Sequence, residues 1–183
     1  LEINFLVNTV LIGSAFYLFF ITIRDFFLKR FNNIHQNIAH FGFSLLILSI
    51  LFNNIFSKEL ITNLKVGESF KNDRFEIIFN DLNKFKKKNY ISFKGNFSIR
   101  ENKIEVELEP ELRVYNQPNI ITSEADIKTT LFTDKFITMN SVQNEEYFNI
   151  RYQVKPFMLW IWISVLLISL GGLISLFKKN YEK

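Results

Sequence analysis

The sequence has no cysteine among its 183 residues. That excludes disulfides, a CxxC redox pair, thiolate zinc sites and a covalently attached c-type haem on this chain. Histidine is nearly as scarce, with two in all, so three histidines of this chain cannot hold a metal. There is no GxSxG nucleophile turn, no glycine-rich phosphate loop and no Ser-His-Asp set, so no catalytic residues are assigned. A surplus of one charge sign is also missing. The formal charge is only +4, and its lysines are local: Lys86-Lys87-Lys88 and Lys178-Lys179. Neither run builds an extended basic face with interleaved aromatics, so no nucleic-acid partner is expected.

Apolar residues make up 48% of the chain. The average resembles a soluble protein, but the distribution does not, because the apolar residues fall into three blocks. Asn4 to Ile23 carries no charge and matches the roughly 20 residues that cross a bilayer core. It lacks a basic leader and a small-residue cleavage site, so it does not read as a signal peptide. A second block runs from about Ile38 to Ile55 and a third from Phe157 to Phe177. Val154-Lys155-Pro156 and the tryptophans Trp160 and Trp162 mark the third block's interface end. The connector with Arg24, Lys29 and Arg30 and the tail with Lys178 and Lys179 are short and basic. The positive-inside rule places both in the cytoplasm. The polar stretch between the second and third blocks then faces outward.

That stretch reads as β. Phe75–Phe79, Tyr90–Phe93 and Asn96–Ile99 are short β-branched and aromatic runs, while Lys103–Leu108 and Phe148–Val154 alternate with period two. Turn chemistry punctuates them at Lys71-Asn72-Asp73, Lys94-Gly95-Asn96, Glu101-Asn102 and Asn116-Gln117-Pro118. About a hundred residues of this kind suit a small β-sandwich or open barrel. Ser123 to Lys128 carries a helix-start signal, so a short helix is expected there. Glu105, Glu107, Glu109 and Glu111 recur at two-residue spacing and read as a solvated face. The expected organisation is a first span and basic connector (1–37), a second span (38–56), an outer β-rich domain (57–155) and a third span with a basic tail (156–183). The fold class is a membrane protein with three α-helical spans and an all-β domain between the second and third.

One residue stands apart chemically. His40 lies inside an apolar span, where an ionisable side chain is by default a functional candidate, although it also suits a mere interface marker. Imidazole is a common axial ligand of haem iron. His35 does not complete such a site. Five residues turn a helix by about 140°, so the two rings point to different faces. A partner ligand is then expected from another chain or from a missing part of this one. Ser44, Ile47 and Leu51 are expected on the His40 face, and His35 is expected to be an exposed connector residue.

Several ordered stretches resemble one family, the cytochrome c maturation protein CcmF, a haem lyase subunit. Ile38-Ala39-His40-Phe41-Gly42 resembles its Ala-His-x-Gly segment at the start of a late span. Leu108-Glu109-Pro110-Glu111-Leu112-Arg113-Val114-Tyr115 is similar to its Pro-Glu-x-Arg-x-Tyr strand, and Thr122–Ile127 to the stretch that follows. Lys155-Pro156-Phe157, Trp160-Ile161-Trp162 and Gly171-Gly172 resemble its last span. The resemblance implies participation in covalent attachment of haem to apocytochrome c, an intramembrane haem b, and His40 as one of its axial ligands. It implies as partners the remainder of CcmF, the haem chaperone CcmE, a CcmH-type apocytochrome-binding subunit, apocytochrome c and membrane lipid. The location implied is a bacterial or mitochondrial inner membrane, with the β domain on the outer or periplasmic face. The family's tryptophan-rich haem-handling segment has no counterpart in these residues. The chain is therefore expected to be the C-terminal part of CcmF, as a fragment or a split subunit, with the covalent chemistry elsewhere. The competing expectation is a haem-free anchored scaffold whose β domain binds a protein.

Overall fold

The computed structural model describes residues 2–28, 34–72, 75–101, 104–142 and 146–181. Among these residues three helices, α1 (Glu2–Phe27), α2 (Ile34–Phe56) and α3 (Met158–Tyr181), flank ten strands. The chain divides into a helical unit, which also takes in Leu131–Thr133, and a β unit of residues 58–130 and 134–154. Of the basic residues expected to orient the spans, Lys29 and Arg30 lie outside the described residues.

All three helices are long and apolar enough to cross a membrane. With no water in a bilayer core, a hydroxyl must find its partner inside the protein. Thr22 Oγ1 donates to the Leu18 carbonyl, Ser164 Oγ to that of Trp160 and Ser169 Oγ to that of Val165. The Thr22 and Ser44 hydroxyls also meet at 3.0 Å, joining α1 to α2. On its other side α2 packs closely on α3 through glycine. A Cβ at Gly171 would fall 2.7 Å from the His35 carbonyl oxygen, and one at Gly42 would fall 3.0 Å from that of Ser164.

The start of α3 is held by several bonds. Phe157 adopts a left-handed φ of 61°, unusual for a side chain of that size. Its N–H donates to the Phe132 carbonyl, its ring lies 5.1 Å from Phe52, and Trp160 Nε1 donates to the Leu131 carbonyl. Asn53 Nδ2, near the end of α2, donates to the Pro156 carbonyl at 2.6 Å. Asn53→Ala is expected to lower stability by about 1 kcal/mol, the net worth of one such bond. Asn53→Asp, which loses the same donor, should show at least as large a fall in the thermal midpoint of the detergent-solubilised chain.

The β unit is a sandwich of two antiparallel sheets: β1 (Lys58–Leu64), β10 (Phe148–Pro156), β9 (Thr133–Ser141) and β8 (Asp126–Thr129) in that order, and β2 (Ser69–Lys71), β3 (Phe75–Lys86), β4 (Tyr90–Glu101), β6 (Glu111–Tyr115) and β7 (Ile121–Glu124), with β5 (Ile104–Leu108) on β4. Alternate residues of the central strands fill the space between them, as the two-residue period requires. Ile77 and Phe79 of β3 (Phe75–Lys86), Phe97 and Ile99 of β4 (Tyr90–Glu101), Ile137 and Met139 of β9 (Thr133–Ser141), and Ile150 and Tyr152 of β10 (Phe148–Pro156) are at most 1% exposed. Strand β4 is the pivot. One edge pairs with β3 along its length. The other pairs with β5 (Ile104–Leu108) at Phe97–Glu101 and with β6 (Glu111–Tyr115) at Tyr90–Lys94.

Two local expectations fail here. Lys94-Gly95-Asn96 is no turn, because β4 runs through it unbroken. Gly95 marks where β4 changes neighbour. Its N–H donates to the Pro110 carbonyl, and a Cβ would meet the Phe97 ring at 2.7 Å and Met139 Sδ at 3.1 Å. The glycine is there for close packing across the sheets. Nor is there a helix at 123–128. Ile121–Glu124 forms β7 on β6, and Asp126–Thr129 forms β8 on β9. Ser123 Oγ donates to the Met139 carbonyl. Ladder bonds and β-branched Ile121, Thr122, Ile127 and Thr129 outweigh a one-turn capping signal. Asp73 and Asn102, expected in turns, lie outside the described residues.

Candidate functional site

Helix α2 starts at Ile34, earlier than the apolar run that suggested it. Polar His35, Gln36 and Asn37 therefore form its first turn, and His40 sits just under two turns in, about 9 Å along the axis. The helix has three sides. Gly42 and Ala39 meet α3. Ser44, 0% exposed, meets α1. The remaining sector is a stripe of exposed residues, Gln36, His40, Phe43 and Ile50.

This corrects two expectations. His35 is not an exposed connector residue; it is helical and 9% exposed, and its Nδ1 has no hydrogen-bond partner among the described residues. Gly171 lets the α3 backbone close over its carbonyl, so the helix begins early because α3 covers that turn. Ser44 does not share the exposure of His40, because it turns toward Thr22. Ile47 and Leu51 are half-buried. The divergence of His35 and His40 stands: one imidazole is covered and the other is exposed.

The donor set therefore offers one outward imidazole on an apolar helix face. Among the described residues no three His, Asp or Glu side chains gather to hold a metal ion. A single axial ligand for a haem lying against that face fits this arrangement. A metal held by this chain alone does not.

A cleft of about 450 Å³ opens beside the same turn, lined by Ile23, Phe26 and Phe27 of α1, Asn37 and Phe41 of α2 and Leu167 of α3. Asn37 is 9% exposed, and its Oδ1 has no partner among the described residues. The sequence gives no cue to the cleft, since its walls are ordinary span residues. Asn37 precedes the apolar run and reads there as connector.

Of the four carboxylates expected on a solvated face, Glu105, Glu107 and Glu109 are exposed, while Glu111 lies on β6 and is half-buried. Glu105 pairs with Arg100, Glu109 with Lys94 and Glu111 with Arg113. The hydrogen bond from Arg113, then one from Ser92 and the charges of Arg113 and Lys94, hold the Glu111 carboxyl below the usual range. A general acid needs the opposite shift.

The family described as "CcmF C-terminal beta-sandwich" matches residues 55–156, the β unit with its two junctions. Cytochrome c-type biogenesis protein CcmF of Haemophilus influenzae is 31% identical over 146 residues, covering 79% of this chain and 22% of that protein. The protein of the same name from Escherichia coli strain K12 is 29% identical over 146 residues, covering 79% of this chain and 23% of that protein. A solved structure named Cytochrome c Heme Lyase CcmF shares the fold, with a TM-score of 0.59 at 19% identity over 76% of this chain and 24% of that one. The chain thus spans under a quarter of the length of these relatives. With a family match over more than half its residues, three apolar helices and the expected sandwich between the second and third, the chain belongs to the CcmF family.

Proposed function

We propose that this chain is the C-terminal part of a cytochrome c haem lyase subunit and that His40 is one axial ligand of an intramembrane haem b. The observation that carries the ligand role is the position of His40, an exposed imidazole just under two turns inside a spanning helix. The relatives' names, cytochrome c-type biogenesis protein and cytochrome c haem lyase, supply the process. Haem bound at that face supplies one-electron chemistry. The chain's own residues hold one imidazole outward, with Phe43 and Ile50 forming an apolar surface on the same stripe. The second ligand belongs to the remainder of CcmF, together with the haem-handling segment that forms the thioether bonds.

The basic connector and tail support an outer or periplasmic β domain on an inner membrane. The partners in this reading are the haem chaperone CcmE, a CcmH-type subunit and apocytochrome c. The test replaces His40 by alanine in the full-length protein and measures membrane haem b and holocytochrome c yield together. Loss of most of the haem b, with a fall in maturation, is expected. Haem content equal to that of the parent protein refutes the ligand role, and a full assembly with no Soret band leaves the haem-free scaffold.

A further inference from the structure

We infer that Gly42 and Gly171 are positioning residues for His40, setting the rotation of α2 that turns the imidazole outward. The inference rests on the ligand role proposed above and goes beyond it. A ligand on one helix must be presented at a defined angle to a group held partly by other helices. A tenth of a turn is 36° and swings an imidazole by several ångströms. What fixes that angle on α2 is its contact with α3.

Two glycines make the contact, one from each helix. A Cβ at Gly42 would lie 2.9 Å from Leu167 Cβ, 3.0 Å from Ile168 N and 3.0 Å from Ser164 O. A Cβ at Gly171 would lie 2.7 Å from His35 O, 2.8 Å from Ala39 Cβ and 2.9 Å from Ala39 N. Most of these obstructing atoms are backbone, and the others are Cβ atoms. No rotamer change relieves them, so a methyl at either position must separate or rotate the helices. Ala39 and Gly42, which take the contact on α2, bracket His40 in sequence. They lie within about 60° of each other around the helix and 100° or more from His40. The clamp thus grips the back of the segment whose front carries the imidazole. The hydroxyl contact between Thr22 and Ser44 steadies the third side.

Gly172 supplies the internal control. It is adjacent to Gly171, yet a Cβ there meets nothing within 4 Å. A general intolerance of this helix to alanine would affect both glycines. A positioning clamp affects one.

The experiment uses the full-length holoprotein with Gly42→Ala, Gly171→Ala, Gly172→Ala and His40→Ala. It reads the optical and electron paramagnetic resonance spectra of haem b and its midpoint potential. Gly42→Ala and Gly171→Ala are expected to retain haem but convert at least half of it from the low-spin to a high-spin form. Added imidazole should restore the low-spin signal, because the protein is folded and only the ligand is displaced. Gly172→Ala should match the parent. Parental spectra and potentials in both Gly42→Ala and Gly171→Ala, with haem lost in His40→Ala, overturn the positioning role and keep the ligand role. Haem retained in His40→Ala overturns the ligand role instead. If the two glycine variants do not accumulate, Ala39→Gly loosens the same contact without a clash. It should give a smaller shift toward high spin, and a parental spectrum there counts against the inference.

Discussion

Replacing Phe79 by alanine is expected to lower the stability of the β-sandwich by about 3–5 kcal/mol, the usual cost of truncating a fully buried phenylalanine. Phe79 has no exposed surface. Its ring stacks on Phe97, its partner in register on β4, at 4.3 Å, and receives Phe148 of the opposite sheet edge-on at 5.7 Å. It is therefore a point where the two sheets touch through aromatic faces, which adds to area burial. The site also cannot collapse easily. The bulge between Phe79 and Asp81 follows directly, and the Phe79 N–H and carbonyl are tied to Glu68 and Gly67. Small domains are stable by roughly 5–15 kcal/mol in total, so this change removes a large share. At roughly 4–8 °C per kcal/mol for a domain of this size, the β unit's thermal midpoint should fall by roughly 15 °C or more. Phe79→Leu should cost less than half as much. A drop below about 1 kcal/mol for Phe79→Ala would mean that the stacked pair is not central to the core.

The legible parts of the fold were those where one signal acts alone. Three uncharged apolar runs in a chain of mixed composition leave only one reading, and three spanning helices result. Period-two alternation placed Ile150 and Tyr152 inside β10 and put Glu105 and Glu107 on the outside of β5. The local signal misleads where it competes with a tertiary one. Gly95 reads as punctuation because a glycine in a strand resembles a turn; what it answers to is the Phe97 ring two residues along the same strand and Met139 on the opposite sheet. Ser123 looked like a helix cap, but Met139 takes its hydroxyl and β6 takes its backbone. At the candidate site, the divergence of His35 and His40 follows from helical geometry. The burial of His35 does not, because it depends on α3 packing over the first turn of α2 at Gly171, a contact between residues more than a hundred positions apart. No periodicity within α2 carries that information.

Tyr152→Phe is expected to act in the opposite direction, raising the stability of the sandwich. The Tyr152 ring packs edge-on against Phe75 at 5.4 Å, and the residue is 1% exposed. Its hydroxyl has no hydrogen-bond partner among the described residues. A buried polar group left in that state costs about 1–3 kcal/mol, and phenylalanine keeps the ring while deleting the oxygen. The same group makes the domain sensitive to alkali. Burial, and secondarily the charge of Glu101, pushes the Tyr152 phenol above its ordinary value. The folded state therefore holds the phenolic proton more tightly than the unfolded state. Its contribution is intact below the ordinary tyrosine value of about 10 and is lost as the pH rises beyond it, when only the unfolded chain ionises freely. Tyr152→Phe removes that linkage. The denaturation midpoint of the β unit, followed in the full chain at neutral pH and again about one unit above the ordinary tyrosine value, should be higher in the variant at both. The gap should be wider at the alkaline pH. A variant less stable than the parent at neutral pH would mean that the hydroxyl is bonded in the folded protein, and the predicted gain would be wrong in sign. A gap that does not widen in alkali would mean that the phenol ionises without opening the core around Ile150 and Phe75.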